Sequence, residues 1–299
     1  MADISSRQND PATIQPLQAQ RHLYRRAKRL SAVQVVLAAG TPIVAATAIA
    51  LNPNAATWAA LGGIVVALLD VGLLDPSQQG LREIAASVQE EFDCQVLQLA
   101  WNEAVAGPRP AAEDIHEAAA ADISRPVGPL ENWYPPAVAP LPLYQGRLIC
   151  QRTNCWWDSK LRRRYAVGIV IAACVISLFV LVVGVANGMT LEKFVLAVVA
   201  PLLPAMLWAM REVRRQHAAA SALDRLKDYG TSLWGRVIEN AVSEVEVNRL
   251  SRELQDAIFY RRRENPFVFD WIYRRLRKRY EEQMNVGAEK MVSELGTRR

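Results

Sequence analysis

The sequence predicts an all-α membrane protein: four transmembrane helices in two hairpins, with a discontinuous helical cytoplasmic domain. Three observations predict it. Four stretches are almost free of charge, each about 20 residues long, the length a helix needs to cross a hydrocarbon core roughly 30 Å thick. Lys and Arg crowd the same predicted side of these stretches. No alternation of apolar and polar residues is strong enough to indicate a sheet.

The averages conceal this segregation. The 299 residues are 51% hydrophobic and 22% charged, with a mean hydropathy of +0.03, all ordinary for a soluble protein. The net charge of +5 and a pI near 9.1 fit nucleic-acid binding in bulk. The cations, however, gather beside the apolar stretches, which assigns them to membrane topology. A bundle of buried helices in a soluble protein is the competing reading. Uncharged runs of this length, each flanked by cations on one side, argue against it.

Residues 1–29 form a cytoplasmic tail, of which 1–20 are polar, hold two prolines and read as loose. Arg21, Arg25, Arg26, Lys28 and Arg29 then precede the first span, Leu30 to Leu51, whose strongly polar side chain is Gln34. This apolar block is too long and too far from the start for a cleavable signal peptide, and no cleavage site follows it. A tiny turn containing NPN leads to the second span, Ala55 to Leu74, uninterrupted except for Asp70. Residues 30–74 are thus hairpin 1.

Residues 75–165 are a cytoplasmic helix followed by a Pro-rich connector. From Ser77 to about Ala106, Leu81, Ile84, Val88, Phe92, Val96 and Leu99 recur at spacings of three or four and make one apolar helix face. This helix continues the second span. Gly107 to Tyr144 holds half of the chain's prolines around one alanine-rich helical patch, AAEDIHEAAAADI, and reads as an extended connector.

Hairpin 2 covers residues 166–210. Its first span, Ala166 to Ala186, follows Lys160, Arg162, Arg163 and Arg164, which read as an inner-face anchor. An NGMT loop leads to Leu191 to Met210, with a charged start and two prolines, and Arg211, Arg214 and Arg215 come after it. The two short loops hold a single cation, Lys193, so both termini and the central region are expected in the cytoplasm. Residues 211–299 are a cytoplasmic C-terminal helical region. One or two charged helices reach Arg262, Asn265-Pro266 breaks the pattern, and a further helix runs from Phe267 to Met284.

Catalytic and metal chemistry find no pattern. Cys94, Cys150, Cys155 and Cys174 make no CxxC pair, and His22, His116 and His217 lie far apart. His116-Glu117 lacks a second histidine four positions on. There is no GxxxxGK[ST] loop and no paired nucleophile and base. No metal, no cofactor and no enzyme activity are expected.

Four segments carry a resemblance: VQEEFDCQVLQLAWN (88–102), NWYPP (132–136), LICQRTNCWWDSKLRRRY (148–165) and NPFVFDWIYRRLRKRYEEQMN (265–285). With the span layout they resemble the SMODS-associated four-transmembrane family, pore-forming effectors of bacterial anti-phage (CBASS-like) systems, over residues 20 to 290 or so. The resemblance implies an inner-membrane protein encoded beside a nucleotidyltransferase that makes a cyclic oligonucleotide on infection. The effector would answer that messenger by permeabilising the membrane. Hydropathy and spacing alone give only four spans and a cytosolic body.

Some residues invite specific roles. Asp70 is an ionisable group in a predicted span and a candidate for a conducting path. Its plain reading places it near the cytoplasmic end, within reach of water. Pro201 and Pro204 remove helix hydrogen bonds and mark a candidate gating kink; against this, proline is simply common in membrane helices. Gly168 and Ala172 form a generic small-xxx-small pair. Gln151, Arg152, Asn154, Trp156, Trp157 and Asp158 combine aromatic faces with a cation, the chemistry that stacks a base and pairs a phosphate. Trp133 and Tyr134 are placed to close such a ligand site. The alternative is that the whole group packs cytosolic helices together. Arg274, Arg275, Arg277, Lys278 and Arg279 meet anionic headgroups or are solvated, and no specific nucleic acid is expected.

The expectation is therefore an inner-membrane effector whose partners are the lipid bilayer, further copies of itself and a cyclic-oligonucleotide messenger. The rival is a non-conducting membrane-anchored adaptor that recruits a cytosolic partner.

Overall fold

The computed structural model describes residues 3–52, 54, 56–186, 190–195 and 199–296. Among them all regular structure is helical and no strand forms. In chain order the α-helices are α1 (Ile4–Arg7), α2 (Pro11–Leu51), α3 (Ala56–Leu69), α4 (Asp75–Leu97), α5 (Glu103–Ala106), α6 (Ala112–Ala120), α7 (Leu143–Ala186), α8 (Leu191–Phe194), α9 (Ala200–Ile238), α10 (Glu244–Glu264) and α11 (Asp270–Gly296). A π-helical turn, Asp70–Leu74, lies between α3 and α4, and two 3₁₀ turns, Gly128–Leu130 and Pro136–Val138, lie in the connector. The chain divides into two compact units. Unit 1 is Met1–Arg26, Leu81–Arg162 and Ala218–Arg299; unit 2 is Ala27–Gly80 and Arg163–His217.

Unit 1 corrects the reading of the N-terminus. Residues 3–20 of the stretch read as loose are ordered: α1 and the start of α2 are helical, and Ile4, Gln8, Leu17 and Ala19 are buried. The cause is capping chemistry. The Asp3 carboxylate accepts from the Ser6 amide at 2.7 Å, and Asp10 accepts from the Ala12 amide at 2.8 Å. Pro11 takes the first helical position, where a missing N–H costs nothing. Pro16 gives up one helix bond, but burial of the face containing Ile14, Leu17 and Leu23 outweighs it.

The helix expected from Ser77 to Ala106 stops at Leu97. Gln98 adopts a left-handed conformation (φ 52°) and ends it. The exposed carbonyls of this terminus find a partner across the unit. Arg147, itself buried, donates through Nε to the Leu97 carbonyl (2.8 Å) and through Nη2 to that of Gln98 (3.0 Å). Burial lowers the Arg147 guanidinium to about 10. On the helix itself Val88, Phe92 and Val96 are buried as expected, and so is Leu99 just beyond it, whereas Ile84 is 51% exposed.

The break at Asn265-Pro266 is real, and three helices grip it. Arg82 of α4 donates to the Asn265 carbonyl (3.3 Å) and lies over the Phe267 ring. Arg162 of α7 donates to the Pro266 carbonyl (2.6 Å). Tyr24 of α2 meets Phe267 edge to face. Arg162 is thus a correction to the row of inner-face anchors: it is buried and also pairs with Asp158 at 3.0 Å.

Unit 2 has the opposite polarity. Val36, Val44, Trp58, Leu68, Val71, Ile171, Phe179 and Leu203 are among many large apolar side chains that face outward. One polar pair turns inward instead. Gln78 donates to Gln34 at 3.0 Å, so the polar residue of the first predicted span has a partner. Ser177, exposed on α7, contacts the Met206 sulfur of α9 at 3.9 Å. Among the described residues, one helical run, Ala60–Leu97, is long and apolar enough to cross a membrane, and its apolar window is wholly unburied. The loops expected between spans fall at residues 52–54 and 187–190, of which 53 and 187–189 lie outside the described residues, as do 196–198 in the fourth predicted span.

Candidate functional site

The centre of unit 1 is a closed polar network carried by α4, α7 and α10. Glu90 and Asp93, three residues apart on α4, turn one face of that helix inward and are 1% and 0% exposed. Gln255 of α10 donates from one nitrogen to both carboxylates, at 2.8 Å to Glu90 and 2.7 Å to Asp93. Arg252 donates to Glu90 at 2.6 Å and pairs with Asp256 at 2.8 Å. Arg262, two turns further along α10, lies 2.7 Å from Asp93. The Tyr134 hydroxyl donates to the other Asp93 oxygen at 2.6 Å. Gln151 of α7 donates to Gln255 (3.1 Å) and to the Ser251 carbonyl (2.9 Å), and accepts from the Ser251 hydroxyl (2.8 Å).

Charge sets the behaviour of this cluster. Burial, then the neighbouring Asp93 charge, hold Glu90 above the ordinary carboxylate range, against the pull of Arg262 and Arg252. Burial works against the charged form of Arg262, but Asp93 leads the groups that keep it firmly protonated. Burial and the Asp93 carboxylate push the Tyr134 phenol far up, so it acts as a donor. Three thiols share the interior. Cys94 and Cys155 are pushed up to about 12 and Cys150 well above its usual value, in each case by burial. They are thiols, not nucleophilic thiolates. Among the described residues no group of three or more His, Cys, Asp or Glu is placed to hold a metal ion.

The residues singled out from the sequence divide into three groups rather than one cleft. Tyr134 and Gln151 join the polar network. Tyr134 is also clamped to the N-terminus, its amide donating to Gln8 (2.6 Å) while Gln8 returns a bond to its carbonyl (3.2 Å). Phe92 stacks on the Tyr134 ring and meets Trp133 edge to face. Trp156 and Trp157 face α11 instead, with Tyr280 edge-on to both and Tyr273 beside Trp157. Asp158 pairs with Arg162. Arg152 points to α9, where Nε lies 3.4 Å from the Thr231 hydroxyl. A Cβ on Gly230 would sit 3.2 Å from that of Arg152, so α7 and α9 approach closely there. Asn154 is half-buried on α7.

Asp70 opens the π-helical turn, and its Oδ1 is buried with no hydrogen-bond partner among the described residues. π turns of this kind gather at functional positions. Pro201 and Pro204 fall within the first five residues of α9.

Sequence reasoning missed Glu90, Asp93, Ser251, Arg252, Gln255 and Arg262, reading the last four only as part of one or two charged helices. The signal was there: Ser251, Leu254, Gln255, Ile258 and Arg262 repeat at three and four along α10, and all five are buried or nearly so.

The network also ties together the four distinctive sequence segments. Asp93 comes from the first, Tyr134 from the second and Gln151 from the third, while Arg162 of the third holds Pro266 of the fourth. A model of the SMODS-associating 4TM effector domain matches residues 2–291. The chain belongs to this family. A curated relative, a probable CBASS effector molecule of Bacillus cereus (strain VD146), is 24% identical over 289 residues, covering 93% of this chain and 94% of the relative. No solved structure matches. The family match takes in both units, so the polar network and the outward apolar faces belong to one effector domain.

Proposed function

We propose that this chain is a CBASS effector that spans the inner membrane four times, with both termini and unit 1 in the cytoplasm. Unit 1 receives a cyclic-oligonucleotide signal, and several copies then assemble to permeabilise the membrane without enzymatic chemistry. The reversed polarity of unit 2 carries this reading. A water-soluble unit would not present Val36, Trp58, Val71 and Phe179 outward while turning Gln34 and Gln78 to each other. Four helices from one chain can pack without a wide water path, so the conducting form is an oligomer. Asp70 is its candidate lining residue, and Pro201 and Pro204, at the start of α9, are its candidate hinge.

The test is dye release from liposomes carrying the protein, across a panel of cyclic oligonucleotides. Leakage with one messenger supports the reading, and none with any messenger overturns it. Replacing Trp157 or Arg152 by Ala tests the ligand site; unchanged messenger affinity in a folded protein removes those residues from it. The sparse charge of the spans favours a second reading, a non-conducting anchored adaptor. Ion-current recording separates the two, since an adaptor binds its partner and passes no current.

A further inference from the structure

The first half of α11 carries a surface that the polar network does not use. Its inner face is packed: Ile272, Tyr280, Met284, Ala288 and Met291 are buried, and Arg277 turns in to pair with Glu281. The outer face is different. Trp271 is 59% exposed, and Arg274, Arg275, Lys278 and Arg279 are all exposed beside it. Positions 271, 274, 275 and 278 follow the i, i+3, i+4, i+7 spacing of a single helix stripe, with 279 at its edge. None of the four cations, nor the Trp271 indole N–H, has a hydrogen-bond or ion-pair partner among the described residues. The exposed acids of the helix come later, at Glu282 and Glu289.

Leaving four like charges unpaired along about 7.5 Å of helix, at 1.5 Å per residue, is unfavourable by itself. A large aromatic beside them in water adds to the cost. Both costs fall at an anionic bilayer surface. Guanidinium and ammonium groups meet phosphates there, their aliphatic stems lie along the headgroup region, and an indole sits at the interface with its N–H hydrated. We infer that the outer face of α11, with Trp271 and the Arg274, Arg275, Lys278, Arg279 stripe, docks on the anionic leaflet of the membrane. A nucleic-acid strand fits less well, because the stripe offers one aromatic where strand binding uses several in succession. The inference rests on the membrane reading above, since the span is what keeps a bilayer within reach of α11.

The test uses the full chain in nanodiscs of phosphatidylcholine, with and without phosphatidylglycerol, containing a brominated lipid as a contact quencher. The readout is the difference in tryptophan quenching between wild type and Trp271→Phe. Expected is a clear difference in the phosphatidylglycerol discs. It should vanish in phosphatidylcholine alone, at salt near 1 M where screening acts within about 3 Å, and in the quadruple Arg274→Gln, Arg275→Gln, Lys278→Gln, Arg279→Gln variant. No difference in the anionic discs, or an equal one in both lipids, overturns the docking. An emission change from Trp271 on adding single-stranded DNA to phosphatidylcholine discs, without any lipid dependence, reassigns the face to nucleic acid and also overturns it. Alkaline carbonate extraction keeps the two readings apart. Protein that stays in the membrane but shows no Trp271 difference sinks only the docking, while protein released by carbonate sinks the span.

Discussion

Units 1 and 2 are built from the same helices' worth of chemistry and sort it in opposite ways. Unit 1 buries Phe92, Leu148, Ile149 and Leu254 and sets the charges it buries against opposite ones, Glu90 on Arg252, Asp93 on Arg262 and Asp122 on Arg21. Unit 2 shows its apolar side chains and turns Gln34 and Gln78 to each other. The difference teaches that burial is a statement about solvent. In water the core is where apolar atoms escape; in hydrocarbon there is no such drive, and what must be hidden is the hydrogen-bonding group.

The largest effect expected of a substitution is in unit 1. Asp93→Ala leaves Arg262, Gln255 and the Tyr134 hydroxyl facing an empty position, and breaking a buried pair in this way costs about 3–5 kcal/mol. Thermal unfolding in detergent should show it, with Asp93→Asn losing less because its oxygen still accepts. The comparison itself is tested by one charge placed twice. Phe179→Arg puts a cation on the outward face of unit 2, at about 2.5–3.5 kcal/mol if that face meets hydrocarbon, and the membrane-inserted fraction should drop. Val245→Arg, equally outward but in unit 1 and 80% exposed in water, should stay within about 0.5 kcal/mol of wild type. Equal outcomes at the two positions would erase the distinction between the units.

A pH series sharpens the picture of the network. The folded chain keeps a proton on Glu90 to higher pH than the unfolded chain does, so that proton favours folding. The contribution is full below the ordinary carboxylate value of 4.5 and is lost as pH rises through the raised value of Glu90. Glu90→Gln should therefore flatten the fall in melting temperature above that point, while an unchanged slope would place the titration elsewhere. The smallest effect is Ser243→Ala. Its hydroxyl caps α10 by accepting from the Glu246 amide at 3.3 Å, and losing the cap costs about 1 kcal/mol.

Much of the helical layout was legible in the sequence, because uncharged length, the 3.6 period and Asn-Pro are local signals. The break before Phe267 and the packed face of Val88, Phe92 and Val96 could be read directly. The stop at Leu97 could not, since it depends on Arg147, fifty residues away, reaching the terminal carbonyls. The ordered N-terminus was missed because polar composition and two prolines outweighed the spacing of Ile14, Leu17 and Tyr24. The polar network was illegible for a similar reason. A buried charge looks like a surface charge until its partners are known, and the cations that pair Glu90 and Asp93, Arg252 and Arg262, lie more than a hundred positions along the chain. Trp157 and Arg152 stood out by type, yet type does not say that one meets tyrosines and the other a threonine.

The cysteines give the molecule a built-in clock. Cys94, Cys150 and Cys155 are shut inside unit 1, while Cys174 stands exposed on unit 2. With an alkylating reagent that enters lipid, the unmodified chain should gain one adduct promptly and the other three only when unit 1 opens. Intact mass over time would then report how often a native effector breathes, with no engineered label to disturb it.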